Sequence, residues 1–239
     1  MFNSEINAHR SGKIFVAATS KGGAGKSTTI ACLSLWWHQA GYDVALLDGD
    51  PNKTLTRWHA KGNALSQMPL VSESNEELVV DAIARLAAAH DLVMVDCPGF
   101  ASQLTLFALG SADFVIIPAM SDEANVFEAL RMRRMVENAS RLTRRRIPSR
   151  TLLSRVKRSS VAEHSFRQLT ALEAEPLVSR LTDRSIFQEA TFHGSAPVML
   201  EPKGAAAGEV EALARELEAL DWWRLAPISP RKATVAVGH

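Results

Sequence analysis

Short apolar runs recur along the chain, separated by stretches with helical spacing. Ile14–Thr19, Asp43–Leu47, Leu92–Val95, Phe114–Ile117 and Thr151–Leu153 are brief and nearly continuously apolar, the form expected of strands buried on both faces of a parallel sheet. Between them, Ser27–Ala40 stops at Gly41, Glu76–His90 is rich in Ala, Leu and Val, and Asp122–Arg146 sets Met132, Val136, Ala139 and Leu142 on one face. These segments are predicted helices, as are Val161–Glu173, Asp183–Phe192 and Ala206–Leu220. Strand and helix in alternation predict an α/β fold, a doubly wound, mostly parallel sheet with helices on both faces.

Composition narrows the class. With 46% hydrophobic residues the 239-residue chain can bury a core, and one domain over residues 13–226 is expected between a flexible tail at 1–12 and a disordered tail at 227–239. Neither tail shows periodicity. Met1 to Gly12 holds no apolar stretch of signal-peptide type, and no run of about 18 apolar residues occurs. Cys32 and Cys97 sit within apolar runs rather than at metal-ligand spacing, so a soluble, unsecreted, cytoplasmic protein with reduced thiols is expected.

The candidate chemistry begins directly after the first run, at Lys21-Gly22-Gly23-Ala24-Gly25-Lys26-Ser27-Thr28, where a predicted helix follows at once. That order of elements forms a phosphate-binding P-loop. The glycines let backbone N–H groups face phosphate oxygens, and the helix adds its positive end. Lys26 is the candidate for the β- and γ-phosphates of ATP, Ser27 offers a hydroxyl to Mg²⁺, and residues 22–28 together are expected to bind nucleotide. The bland alternative is a glycine-rich turn with no ligand.

Two acidic segments accompany the loop. Leu46-Leu47-Asp48-Gly49-Asp50-Pro51-Asn52 places Asp48 and Asp50 at the carboxyl end of a predicted strand, where ligands bind in parallel sheets. The alternative is that these aspartates cap the next helix. Leu92-Val93-Met94-Val95-Asp96-Cys97-Pro98-Gly99 has the Walker B pattern, with Asp96 expected to hold Mg²⁺ through water opposite Ser27, and Gly99 free to bring its loop close to the γ-phosphate. Cys97 is read as a small buried residue, since no base stands beside it.

Lys-Gly-Gly-x-Gly-Lys-Ser/Thr, here Lys21 to Ser27, resembles the deviant Walker A loop of the ParA/MinD family of P-loop ATPases. The resemblance implies that Lys21 crosses a dimer interface to the partner's nucleotide, so that ATP drives homodimer formation. It implies that Asp50 orients or deprotonates the attacking water and that Asp48 supports the metal region. Phe114-Val115-Ile116-Ile117-Pro118 resembles the family's strand ending in proline, and Leu152-Leu153-Ser154-Arg155-Val156 its strand near the adenine. Pro118, Ser154 and Arg155 are thus further expected nucleotide contacts, with Arg155 open between nucleotide and DNA. Arg184-Ser185-Ile186-Phe187 through Gly194 looks like a late family feature, and the likeness covers residues 13 to 220. Asn52 stands where the family usually has Gln, and Cys97 where it often has Thr or Ala.

Within the family, the stretch Asp50 to Trp58 is similar to the small ParA-like ATPases of plasmids and of conjugative or T-DNA transfer systems. The chain has no helix-turn-helix-sized segment before Lys13, no amphipathic membrane helix of MinD type after Ala226, and no match to the cluster-ligating cysteines of nitrogenase iron proteins. A membrane partner is therefore not expected.

Charge changes the picture locally. The total is balanced at 27 Lys+Arg against 26 Asp+Glu, yet Arg131 to Arg158 holds eleven basic residues against the single acid Glu137, a net of +10. Arg131, Arg134, Arg141 and Arg145 recur at helical spacing opposite the Met132/Val136 face, and Arg144 and Arg158 extend the cluster. Such a stripe is expected to follow the backbone of double-stranded DNA without reading bases, although a solvated helix face is the alternative. With the resemblance, this implies a slow, partner-stimulated ATPase that is nucleoid-associated and partitions a plasmid or other replicon through a centromere-binding, ParB-like adaptor. Two alternatives stay open, an accessory ATPase for conjugative or T-DNA transfer and a MinD-like protein-positioning ATPase without DNA cargo. Trp36, Trp37, Trp222 and Trp223 are expected in packing, and His164 and His193 stand at no metal-ligand spacing.

Overall fold

The computed structural model describes residues 12–100, 102–157 and 160–223. The expected tails at 1–12 and 227–239, apart from Gly12, and Arg158 lie outside the described residues. Seven strands form one sheet: β1 Lys13–Ala17, β2 Val44–Asp48, β3 Leu70–Ser72, β4 Leu92–Asp96, β5 Phe114–Ala119, β6 Ser149–Val156 and β7 Pro176–Thr182. Their order is β3-β2-β4-β1-β5-β6-β7, and every pairing is parallel. The helices are α1 Lys26–Gln39, α2 Thr54–His59, α3 Val79–Ala89, α4 Gln103–Ser111, α5 Glu123–Thr143, α6 Ser160–Ala171, α7 Ser185–Phe192, α8 Pro197–Leu200 and α9 Ala205–Glu218. Among the described residues no helix is long and apolar enough to cross a membrane.

The side-chain period of two along each strand divides the core. Phe15, Leu46, Met94, Phe114 and Leu152 pack with residues of α1, α8 and α9, whereas Val16, Leu47, Val95, Val115 and Leu153 pack with α3, α4, α5 and α6. On the first side, Phe15 stacks on Phe114 at 5.5 Å and meets Trp37 edge-on at 5.6 Å, and Trp222 stacks on Phe114 at 4.7 Å. These rings clamp the last described helix to the sheet. β1 lies between β4 and β5, so the loop leaving its carboxyl end opens at the point where the strand order reverses, the usual place for a ligand.

Two strands and three helices were not foreseen. β3 is only three residues long. β7 lies at the edge with a half-exposed pattern in which Val178 is 75% exposed, so its apolar positions are too sparse to read as a buried run. Its N–H groups are capped by α9: Glu216 accepts from Val178 N and Ser179 N at 2.8 Å each, and Glu209 accepts from Thr182 N at 2.9 Å. α2, α4 and α8 are short or close to functional loops.

One predicted helix is corrected. Asp122 caps α5, accepting from Asn125 N at 3.0 Å, but the helix ends at Thr143 rather than Arg146, because Arg144 turns left-handed at φ 52. Met132, Val136 and Ala139 are buried as predicted, whereas Leu142 is 72% exposed. The termination also redirects Arg145, whose guanidinium bonds Gly110 O at 3.1 Å and Ala112 O at 2.8 Å.

Candidate functional site

The loop from Ser20 to Gly25 joins β1 to α1, and only glycine suits its geometry, since Gly23 and Gly25 sit at φ +84 and +89. Thr19 Oγ1 donates to Lys21 O at 2.6 Å, Ser154 Oγ donates to Ala24 O at 2.6 Å, and Thr29 N donates to Gly25 O at 2.9 Å. Carbonyls are thus turned into the protein. Gly99 closes the loop from above, where an added methyl would meet Gly22 Cα at 3.1 Å.

A cleft of about 470 Å³ runs from this loop to the far end of β7. Gly22, Gly23, Gly25, Lys26, Ser27 and Thr28 line one end, with Asp50 and Gly99 beside them. Lys26 is 6% exposed, and its Nζ lies 3.4 Å from Thr19 Oγ1. Ala24, by contrast, is buried and braces the loop through its carbonyl.

Ser27 Oγ donates to Asp96 Oδ2 at 2.5 Å. The other oxygen, Asp96 Oδ1, is buried without a hydrogen-bond partner. Burial pushes the Asp96 carboxyl up to about 7; the Ser27 hydrogen bond and the Lys26 charge work against this, and the charges of Asp48 and Asp50 add to it. A hydroxyl and an orphaned carboxylate oxygen beside a phosphate loop are the hard donors that Mg²⁺ takes, and a divalent cation would supply the positive charge this buried carboxylate lacks.

Asp48 and Asp50 have separated roles. Asp48 is fully buried, and its carboxylate accepts from Asp50 N at 3.1 Å and from Thr56 N and Thr56 Oγ1 at 2.7 Å each. Those bonds fasten the start of α2, which fits the helix-capping alternative for Asp48. The three aspartates form no ligand cage among the described residues. Asp50 is 8% exposed, lines the cleft, and accepts from Asn52 N at 2.9 Å through Oδ1.

Residues 50–65, which follow β2, are tied to the end of α7 and the turn after it. Lys61 Nζ donates to Phe192 O at 2.8 Å, Asn63 Nδ2 donates to His193 O at 2.7 Å, and Leu65 N donates to Gly194 O at 3.1 Å. Trp58 of α2 and Asp183, Arg184, Phe187, Gln188 and Thr191 form the far end of the cleft. The sequence singles out the stretches Asp50 to Trp58 and Arg184 to Gly194 only by resemblance and assigns none of Trp58, Arg184, Phe187, Gln188 or Thr191 to a site, because they converge only through this docking. Glu209 holds Arg184, accepting from its Nε at 2.9 Å.

The remaining expected contacts fall on both sides of the cleft wall. Ser154 lines the cleft and braces the loop. Arg155, held left-handed at φ 51, lines it too, with Nε 3.8 Å from Asp183 and Nη1 3.5 Å from Gly23 O, so it faces the cleft. Pro118 is buried within β5, paired with Leu152, and is absent from the cleft walls.

Lys21 is exposed and stands outside the cleft lining. Its neighbour Ser20 donates to Glu128 Oε2 of α5 at 2.5 Å. That bond holds the Glu128 carboxyl below its ordinary range, aided by Arg131 and Lys21.

The basic cluster is partly consumed by internal pairs. Arg131 bonds Glu128 at 3.1 Å, and Arg145 pairs with Asp113 at 3.4 Å besides its two carbonyls, so Arg145 leaves the predicted stripe. Arg134, Arg141 and Arg144 are exposed, and none makes an ion pair among the described residues.

The chain and its fold resemble known proteins. The model of a family described as VirC1 protein matches residues 13–219. A protein ParA of Rhizobium radiobacter is 28% identical over 206 residues, which cover 83% of this chain and 91% of that protein. A protein virC1 of the same organism is 31% identical over 176 residues, covering 70% and 75% of the two chains. The fold matches the septum site-determining protein MinD complexed with Mg-ADP from Pyrococcus horikoshii OT3, with a TM-score of 0.70, 19% identity, and coverage of 87% of this chain and 96% of that one. With a glycine loop, a Ser–Asp pair and an acidic strand end gathered at one cleft, and the family model matched over nearly the whole described chain, this protein belongs to the VirC1 family and shares the fold of MinD.

Proposed function

We propose that this chain is an ATP-hydrolysing switch that pairs with a second copy when ATP and Mg²⁺ are bound, grips duplex DNA without reading its sequence in that state, and drives partition of a plasmid or other replicon. Release follows slow hydrolysis stimulated by a centromere-binding, ParB-like adaptor. The observation that carries this reading is the division of labour between two lysines of one loop. Lys26 is buried in the cleft wall, whereas Lys21 is exposed outside it and makes no hydrogen bond through its ammonium among the described residues. A cation held at the phosphate loop but turned from its own cleft suits a triphosphate presented by a partner.

In this scheme Lys26 and the loop N–H groups hold the phosphates, and Ser27 with Asp96 supplies the oxygen ligands for Mg²⁺. Bound Mg²⁺ would neutralise charge on the transferred phosphoryl group. Asp50, buried at the cleft with one oxygen braced by Asn52 N, orients the attacking water. Arg134, Arg141 and Arg144, exposed and without an ion pair among the described residues, offer cations for phosphate backbone contact, and pairing two weak surfaces raises affinity through effective concentration.

The deciding experiment combines sedimentation with a gel shift on arbitrary duplex DNA under ADP or ATP. Wild-type protein dimerises and shifts DNA with ATP, and Lys21→Ala binds ATP but does neither. A protein that stays monomeric at confirmed ATP occupancy ends this reading. Protection of one fixed sequence would instead favour an accessory role in DNA transfer.

A further inference from the structure

We propose that the cavity at the carboxyl end of α5 is a second phosphate site, which seats the backbone of duplex DNA at the sheet edge opposite the nucleotide cleft. The cavity measures about 300 Å³, and among its lining residues are Arg133, Arg141, Arg146, Arg150, Glu137 and Glu175. It lies where β6 begins at Ser149 and where Glu175 leads into β7. Those are the amino ends of parallel strands, whereas the nucleotide cleft gathers at their carboxyl ends.

The charges in this cavity do not cancel. Glu175 pairs with Arg133 at 3.1 Å and with Arg150, and Glu137 reaches Arg133 at 3.4 Å. Two carboxylates thus serve two guanidiniums and leave Arg141 and Arg146, both exposed, with no ion pair among the described residues. Arg133 Nη1 is moreover buried with no acceptor, an unfavourable state for a donor. An anion with several oxygens answers the unpaired charge of Arg141 and Arg146, and the guanidinium fork matches the oxygens of phosphate bidentately.

The shape of the charge selects the occupant. No aromatic side chain lines the cavity to stack a free nucleotide's base. Arg134 lies seven residues before Arg141, on the same face of α5, and Arg144 follows at its cap, so positive charge continues along a line away from the cavity. A polyanion uses such a line and a single small anion does not.

The test rests on the DNA-binding reading above and separates from it. Anisotropy of a labelled random-sequence duplex is titrated with ATP-loaded, Mg²⁺-containing protein across a salt series. Arg141→Gln with Arg146→Gln is expected to weaken binding at least about tenfold and to lower the salt slope by about 2. Arg85→Gln, an exposed charge on α3, is the control and stays within about twofold of wild type. A double variant with wild-type affinity and slope overturns the site, and so does an equal loss in the Arg85 control. If wild-type protein itself fails to bind duplex DNA, the function proposed above fails with it.

Discussion

Ser27 and Asp96 are joined by a 2.5 Å hydrogen bond that satisfies one carboxylate oxygen and leaves the other buried without a partner. The site is thereby short of positive charge, and its stability should depend on pH. The folded carboxyl titrates near 7 against an ordinary 3.8, so the folded state holds the extra proton between those values. The stability this proton confers is full below about pH 4 and lost as pH rises towards 7. In nucleotide-free protein, Asp96→Asn should therefore melt several degrees above wild type at pH 8 and close to it at pH 4. A variant melting at or below wild type at pH 8 would contradict the assigned burial cost.

Asp50 faces the cleft but has no part in fastening α2, which Asp48 does. Asp50→Ala should lower ATP turnover by about 10²–10⁴-fold while nucleotide affinity changes little. Normal turnover in the variant would remove Asp50 from the chemistry. Asp48→Ala should instead lower the melting temperature, because two hydrogen bonds at α2 lose their buried acceptor.

Both thiols are sealed. Cys32 and Cys97 are buried, and burial pushes the Cys32 thiol up to about 12 and the Cys97 thiol still higher. A disulfide-exchange reagent at pH 8 should label neither in native protein and both after denaturation. Rapid labelling of Cys97 would show that the loop beyond β4 opens.

Gly194 stands at φ +58, and a methyl there would fall 2.3 Å from the Trp58 carbonyl oxygen. Gly194→Ala should destabilise by more than about 1 kcal/mol and loosen the docking of α7 on residues 58–65. Gly208, in α9 with open space around it, gives the opposite sign: Gly208→Ala should stabilise by about 0.5–1 kcal/mol. Equal shifts for both would mean that the left-handed turn carries no constraint.

The central strands and the phosphate end of the cleft could be read from the chain because their signals are local. Leu92–Val95 is apolar throughout, since both faces of the strand are covered, and the glycines of residues 22–25 are required by the backbone itself. What could not be read depends on distant partners. Trp58 and Gln188 meet only because Lys61 and Asn63 anchor the end of α7. Arg145 continues the helical spacing in sequence, yet carbonyls of the α4–β5 turn capture it. Asp48 matched a motif, and only its bonds to Thr56 show it to be a fastening.

The two α9 carboxylates on β7 carry a consequence for assembly. An edge strand with vacant N–H groups invites a foreign strand to extend the sheet, but Glu209 and Glu216 already occupy those of Val178, Ser179 and Thr182. Growth into a continuous ribbon is barred along that border.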